Sequence, residues 1–385
     1  EAMSPTLFST LDQFLGLINS GRSLQNLVEF DVMPRIGTRH TWENNFHPSF
    51  DINYISYAIH FDSGKFVRFV SKRLKELTSN YNEISDTVKS ITQNENGAIV
   101  HGSEDYHFDY VFDCRGFPTQ YDDYNFPEFD TVNSLLVFQH QKQYNHIYTD
   151  ILLHKNGWQF GINTAKRKAF GYLYNNKITT ESDAFDHFVS LNPDVPITRD
   201  AVKSITWKFY YAKKAVDNRI IKMGNRLFFY EPVQGIPLHH YSIFTLMTMD
   251  YIVNRDTNWE WHYLDAFRDY LEPGIKYSPE EVLNTYHNVT MKTYFEIVCS
   301  NYIGNHMDSE FWTNTKRNCL EKLSQSKAFM QFSQKVVDFE NGKESEYPSF
   351  YLHPGVMISQ YMKGLQVNFQ EILKGDHESL LNTIS

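Results

Sequence analysis

Residues 155–174 read "KNGWQFGINTAKRKAFGYLY", with Trp158, Phe160 and Ile162 at alternate positions, a basic stretch, then Phe170, Tyr172 and Tyr174 at alternate positions again. Successive side chains of an extended chain point to opposite faces, so a period of two predicts two strands, and Thr164 to Lys168 predicts the turn between them. A sheet is therefore unavoidable here. So many rings on one hairpin can pack on a core, or they can stand as a wall beside a planar ligand. The pattern alone satisfies both.

The rest of the chain supplies the surroundings. From Thr87 the segments "TVKSITQ", "GAIVHG" and "YHFDY" read as strands. They are followed by "YVFDC", whose short apolar run stops before Gly116 and so predicts a buried strand opening into a loop that a ligand can approach. Further strands follow at Leu135 to Phe138 and in "SITWKFYYA". Helices are predicted after Ser4 and Pro5, from near Asp62, after His239, after Ser278 and Pro279, over 327–339, and over 356–373. "WEWHY" at 259–263 also alternates, but Thr257 and Asn258 precede it as caps and Leu264, Phe267 and Leu271 continue a helical period, which assigns its tryptophans to packing. With no repeat or flexible linker, the fold class is α/β: a sheet region over 1–240 and a helical region over 241–385 in one compact unit.

Charge and composition exclude several function classes. A net charge of -10 with only "TAKRKA" as a basic patch opposes nucleic-acid binding. No apolar run of about eighteen residues occurs and no signal peptide opens the chain, which excludes a membrane partner. Cys114, Cys299 and Cys319 stand far apart, so neither a disulfide framework nor a thiolate metal site is predicted, and a cytoplasmic location fits. The 16 histidines show no His-Glu-x-x-His or His-x-His spacing, and no metal is expected. Neither a Gly-x-Ser-x-Gly elbow nor a phosphate loop before Lys-Ser/Thr is found. The segment "RLFFYEPVQGIPLHH" runs from a strand through a loop to a helix start, which can present backbone N–H groups and a helix dipole to an anionic ligand.

Six segments in one order carry a resemblance to the flavin-dependent tryptophan halogenases. "EAMSPTLFSTLDQFLGL" resembles their Gly-Glu-Ala/Ser-Thr-x-Pro-Thr stretch, "YAIHFDSGKFVRFV" their Tyr-x-x-His-Phe-Asp helix entrance, and "YVFDCRGF" their Phe-Ile-Asp-Cys-Ser/Thr-Gly strand. "NGWQFGINTAKRKAFGYLY" resembles their Gly-Trp-x-Trp-x-Ile-Pro signature, with Phe160 and Asn163 in place of the second Trp and the Pro. "FFYEPVQGI" resembles their Phe-Leu-Glu-Pro-Leu-Glu-Ser-Thr-Gly-Ile loop, and "NYIGNHMDSEFW" the segment ending in Pro-Phe-Trp.

The resemblance implies a fold like that of the FAD-dependent monooxygenases. It also implies FAD as cofactor, a flavin reductase as partner, and the use of reduced FAD, oxygen and halide to halogenate a small electron-rich aromatic substrate. Glu1, Ala2, Gly116, Gly224, Gly235 and Ile236 would face the cofactor. Trp158, Phe160, Ile162 and Glu231 would wall the substrate from the site of halide oxidation.

The family's catalytic lysine stands eight residues before the Trp of "RHTWEN". Here that position is Pro34, with Arg35 beside it, and the family's catalytic glutamate falls on Gln234. Arg35 would hold hypohalous acid by hydrogen bonds without becoming its covalent carrier, and a neutral amide cannot take up a proton as a carboxylate does. These departures keep two alternatives open: a flavin monooxygenase of other chemistry, and a non-catalytic descendant acting as a binding protein. The Gly-x-Gly-x-x-Gly turn that receives the pyrophosphate would stand before Glu1 in a longer chain, or be missing from a shorter one.

Overall fold

The computed structural model describes residues 2–3, 31, 33–142, 144, 147–254, 275, 277–304, 307–351 and 354–375; the side chains of 2, 3, 34, 54–58, 234, 236 and 254 are not among those described. The helix expected after Ser4, the "WEWHY" segment and Glu1 lie outside these residues. The chain divides into two units, one made of Glu1–Phe69, Phe129–Lys208 and Phe295–Ser385, the other of Val70–Glu128 and Phe209–Tyr294. Each is described by itself.

The first unit is built on an eight-stranded sheet in the order Ala2–Met3, Phe50–His60, Met33–Trp42, Tyr148–His154, Gly157–Asn163, Lys168–Tyr174, Ser134–His140, Lys203–Thr206. All neighbours are antiparallel except Met33–Trp42 with Tyr148–His154. The aromatic hairpin forms as its period of two requires. Its register pairs Trp158 with Leu173, Phe160 with Gly171 and Ile162 with Ala169. Residues directly opposite in a ladder share a face, so Trp158, Phe160 and Ile162 lie on one face while Phe170, Tyr172 and Tyr174 lie on the other. The two aromatic stripes therefore serve different surroundings. Phe170, Tyr172 and Tyr174 join Leu136, Phe138, Ala184 and Phe188 in a buried core beneath the Glu181–Leu191 helix.

The second unit holds three small sheets. One is the Ser90–Asn94, Gly97–His101, Asp105–Phe108 meander; in another, Val111–Asp113 runs parallel to Ile220–Lys222. In the third, Tyr210–Ala212 pairs with Phe228–Phe229 and with Tyr124–Asn125. The continuous strand expected across "SITWKFYYA" is thus two strands in separate sheets, interrupted at Trp207.

Helix starts follow their caps. Asp62 accepts from the Lys65 N–H at 2.9 Å ahead of Ser63–Leu77. Ser278 and Glu281 close a capping box at the head of Pro279–Ser300, the Ser278 N–H donating to the Glu281 carboxylate at 2.7 Å and Ser278 Oγ accepting from the Glu281 N–H at 3.3 Å. The single helix expected over 356–373 is instead two, Gly355–Gly364 and Phe369–Lys374. Gln366 takes a left-handed φ of 56°, which ends one helix, and Asn368 caps the next.

Candidate functional site

In the first unit, Arg35 sits at a bulge in Met33–Trp42, where the register against Phe50–His60 shifts between Arg35 and Gly37. Bulges re-aim side chains. Arg35 Nη1 donates to Thr149 Oγ1. Thr149 Oγ1 is 2.8 Å from His60 Nε2, and His60 Nδ1 is 2.9 Å from the Asn163 carbonyl oxygen. A carbonyl can only accept, so His60 carries its proton on Nδ1; in the neutral ring Nε2 accepts the Thr149 hydroxyl, which accepts from Arg35. His60 is fully buried. This chain of bonds ties Arg35 to the last residue of the strand that carries Trp158 and Phe160, two features far apart in sequence.

Trp158 is 6% exposed and its indole N–H donates to the Tyr302 hydroxyl at 3.0 Å. Phe160 and Ile162 are half-buried. The Phe160 ring lies over Gly171, where a Cβ would come within 2.1 Å of its Cζ, so the missing side chain at Gly171 is what lets the ring lie there. Ala2 pairs with His60 at the edge of the same sheet.

The second unit holds Gly116, Gly224, Glu231, Gln234, Gly235 and Ile236. Asp113, 4% exposed, accepts from Arg115 at 2.8 Å and from Arg226 at 3.2 Å. Burial works to raise its pKa, yet the two guanidiniums, Arg115 foremost, hold the carboxyl below its ordinary value. This ion pair ties the loop of Gly116 to the Gly224–Arg226 turn. The Tyr241 hydroxyl adds the Ile236–Asn254 helix by donating to the Phe228 carbonyl at 3.1 Å. Glu231 is 1% exposed, just before the Val233–Gly235 turn that leads into this helix. The backbone of Gln234 lies in that turn, and Ile236 opens the helix.

Gly116, Gly224 and Gly235 all hold left-handed backbone, with φ of 80°, 57° and 68°, and nothing stands within 4 Å of the Cβ each lacks. A planar cofactor can lie against bare backbone at such points. The helix start adds N–H groups and the positive end of a dipole for an anionic part. The residues present fit FAD here. The 385 residues contain no Gly-x-Gly-x-x-Gly turn for its pyrophosphate. Among the described residues no group of three His, Cys, Asp or Glu could hold a metal ion, and no helix is long and apolar enough to cross a membrane.

Sequence reasoning missed Thr149 and the role of His60. Thr149 carries no motif; His60 was visible only as the residue at a helix entrance. The left-handed glycines had a signal, since each follows a strand or precedes a helix.

A profile of the tryptophan halogenase family matches residues 36–257, more than half of the chain. No curated protein sequence matches it. Among solved structures, the fold is similar to BrvH, a flavin-dependent halogenase from Brevundimonas sp. BAL3, at a TM-score of 0.69 and 13% identity over 99% of this chain and 88% of that one. A tryptophan halogenase from Shewanella frigidimarina NCIMB 400 gives 0.70 and 12% over 99% and 84%. SttH, a tryptophan 6-halogenase from Streptomyces toxytricini, gives 0.65 and 13% over 93% and 85%.

Proposed function

The chain belongs to the tryptophan halogenase family, a family of FAD-dependent enzymes, and from that premise we propose that it halogenates a small electron-rich arene with a separate flavin reductase as its partner. The match over residues 36–257 carries this reading, because it spans both the hairpin and the Glu231–Ile236 loop. When bound, FAD supplies the oxidising power that turns halide into hypohalous acid. The chain's own residues would do the rest. Arg35, fixed through Thr149, would hold hypohalous acid by hydrogen bonds; its guanidinium keeps its proton at ordinary pH and so forms no lasting N–halogen bond. Phe160 and Trp158 would wall the arene. Gln234 would orient the substrate or a water molecule, leaving the ring proton to be taken by solvent. Cys114, Cys299 and Cys319 are in no disulfide, which suits a reducing cytoplasm.

Reduced FAD, oxygen and bromide would be supplied with a panel of electron-rich arenes, catalase present, and products read by mass. Bromide-dependent mass gain on an arene is the expected result. Oxygen insertion in its place would establish a monooxygenase of other chemistry. FAD binding without any product would establish the non-catalytic reading, which the neutral amide at Gln234 favours.

A further inference from the structure

In the second unit, the Ile236–Asn254 and Pro279–Ser300 helices meet through a pair of imidazoles. His240 of the first and His287 of the second are fully buried, with ring centroids 5.8 Å apart. His287 Nε2 is 3.1 Å from the Ala212 carbonyl oxygen, which can only accept, so Nε2 carries the proton and Nδ1 is a lone pair with no partner among the described residues. Neither nitrogen of His240 has a partner among them. Rings enclose the pair. Phe228 and Phe244 lie 5.2 and 5.4 Å from His240, and Tyr286 and Tyr294 of the second helix 6.0 and 5.4 Å. Tyr211, from the Tyr210–Ala212 strand, lies 6.1 Å from His287.

These surroundings suit a neutral ring and oppose a charged one. An imidazolium has two N–H donors; in the closed arrangement His287 finds an acceptor for one of them and His240 for neither. A buried charge without partners is costly. Among the described residues no carboxylate acts on either ring. Burial foremost keeps both neutral, with His287 and His239 acting in the same sense on His240, and Lys222 on His287. Protonation therefore requires the two helices to part. The first of them starts directly after Gly235, one of the three bare-backbone glycines that fit FAD, so a helix that lifts carries that loop with it.

We propose that His240 and His287 form an acid-opened latch between these two helices, which loosens the Gly235 loop at mildly acidic pH and releases the flavin. Linkage sets the size of the effect. An opened ring titrates near 6.5 while the closed ring stays neutral, so below that pH the open form binds more protons and gains; from pH 7.5 to 5.5 opening should rise about tenfold per ring and about 100-fold for the pair. Hydrogen exchange of the full chain without flavin, corrected for the pH dependence of the chemical step, would read this at the slowest-exchanging amides of both helices. His240→Phe, which suits the ring cage, and His287→Gln, which keeps a donor for Ala212, should each lower the ratio to about ten, and the double variant should remove most of it. FAD binding, followed by flavin fluorescence at the same two pH values, should weaken at pH 5.5 for the parent chain and much less for the double variant. A parent ratio near one, or one that survives both substitutions, would overturn the latch. Flavin held equally at both pH values by a chain whose helices open would overturn the release. The latch itself rests on neither FAD nor halogenation, so a chain that opens as expected and binds no flavin at either pH would sink the flavin assignment and leave the latch standing.

Discussion

Gly171 shows how one missing side chain sets the position of a ring. A Cβ there would fall within 2.1 Å of Phe160 Cζ, so Gly171→Ala must push the ring off the strand. Overpacking of this kind costs about 1–3 kcal/mol. Because the clash needs both partners, Gly171→Ala made in a Phe160→Ala background should cost much less, and chemical denaturation of the four proteins in the cycle would measure the difference. Additive losses would mean that the ring is not what Gly171 accommodates. At Gln234 the expected change is in activity. Gln234→Glu supplies a carboxylate at the position proposed for the family's glutamate, and a positioned general base contributes roughly 10²–10⁴-fold to a proton-transfer step. Product formation should rise on that substitution, and a rate unchanged or lowered would show that another residue carries the proton. Arg35 and Gln234 were legible only as candidate positions, by counting from Trp42 and along the Glu231 loop. The bonds that hold Arg35 were not, since Thr149 is 114 residues away and Asn163 enters only through His60.

At the scale of elements, local chemistry was readable and parity was not. The hairpin, its turn and the capped helices at Asp62 and Ser278 follow from period and cap residues. The facing of the two stripes depends on register, and a shift of one residue would reverse it without altering the alternation of either arm. Sequence therefore gives two aromatic rows and cannot say that they look in opposite directions. The split near Gln366 was hidden for a related reason: a non-glycine residue in left-handed backbone leaves no mark in the apolar period. The opposed stripes carry a prediction. Tyr172 is fully buried and its hydroxyl meets His187 Nδ1 at 2.8 Å, so Tyr172→Ala should cost about 3–5 kcal/mol, as other large aromatic truncations in cores do. Phe160 is half-buried on the opposite face, so Phe160→Ala should cost clearly less and show its effect in turnover. Equal destabilisation with turnover untouched by Phe160→Ala would make both stripes mere packing.

For the whole molecule, the two units interleave along the chain, which no composition shift announces, because each unit is closed by contacts between segments far apart in sequence. Each unit buries imidazole rings, His40 and His154 in the first and His240 and His287 in the second. Burial lowers His40 and His287 to about 3, while His154 and His240 are pushed well below their ordinary value, also by burial first. In the unfolded chain these rings titrate near 6.5, roughly. Between those limits the unfolded state binds more protons than the folded one, so stability rises with pH up to about 6.5 and falls on acidification through the same window. Asp62 and Asp113, whose pKa values are held below the ordinary carboxylate range, lose their contribution only at lower pH. The first loss on acidification should therefore come from the histidines. His40 stacks on Phe50 with ring centroids 4.4 Å apart and has an unpartnered Nδ1, so His40→Phe keeps the stack and removes the proton acceptor. Thermal unfolding scanned from pH 7 to pH 4 should show a shallower fall in Tm for His40→Phe than for the parent chain. Lys316 works in the alkaline direction. Its pKa is lowered to about 8 by burial, so the unfolded chain again binds more protons between there and about 10.5, and stability should rise with pH across that interval. Lys316→Met should remove that rise while leaving the acid limb unchanged. An acid limb that flattens with Lys316→Met and not with His40→Phe would mean that these groups do not govern stability as their burial requires.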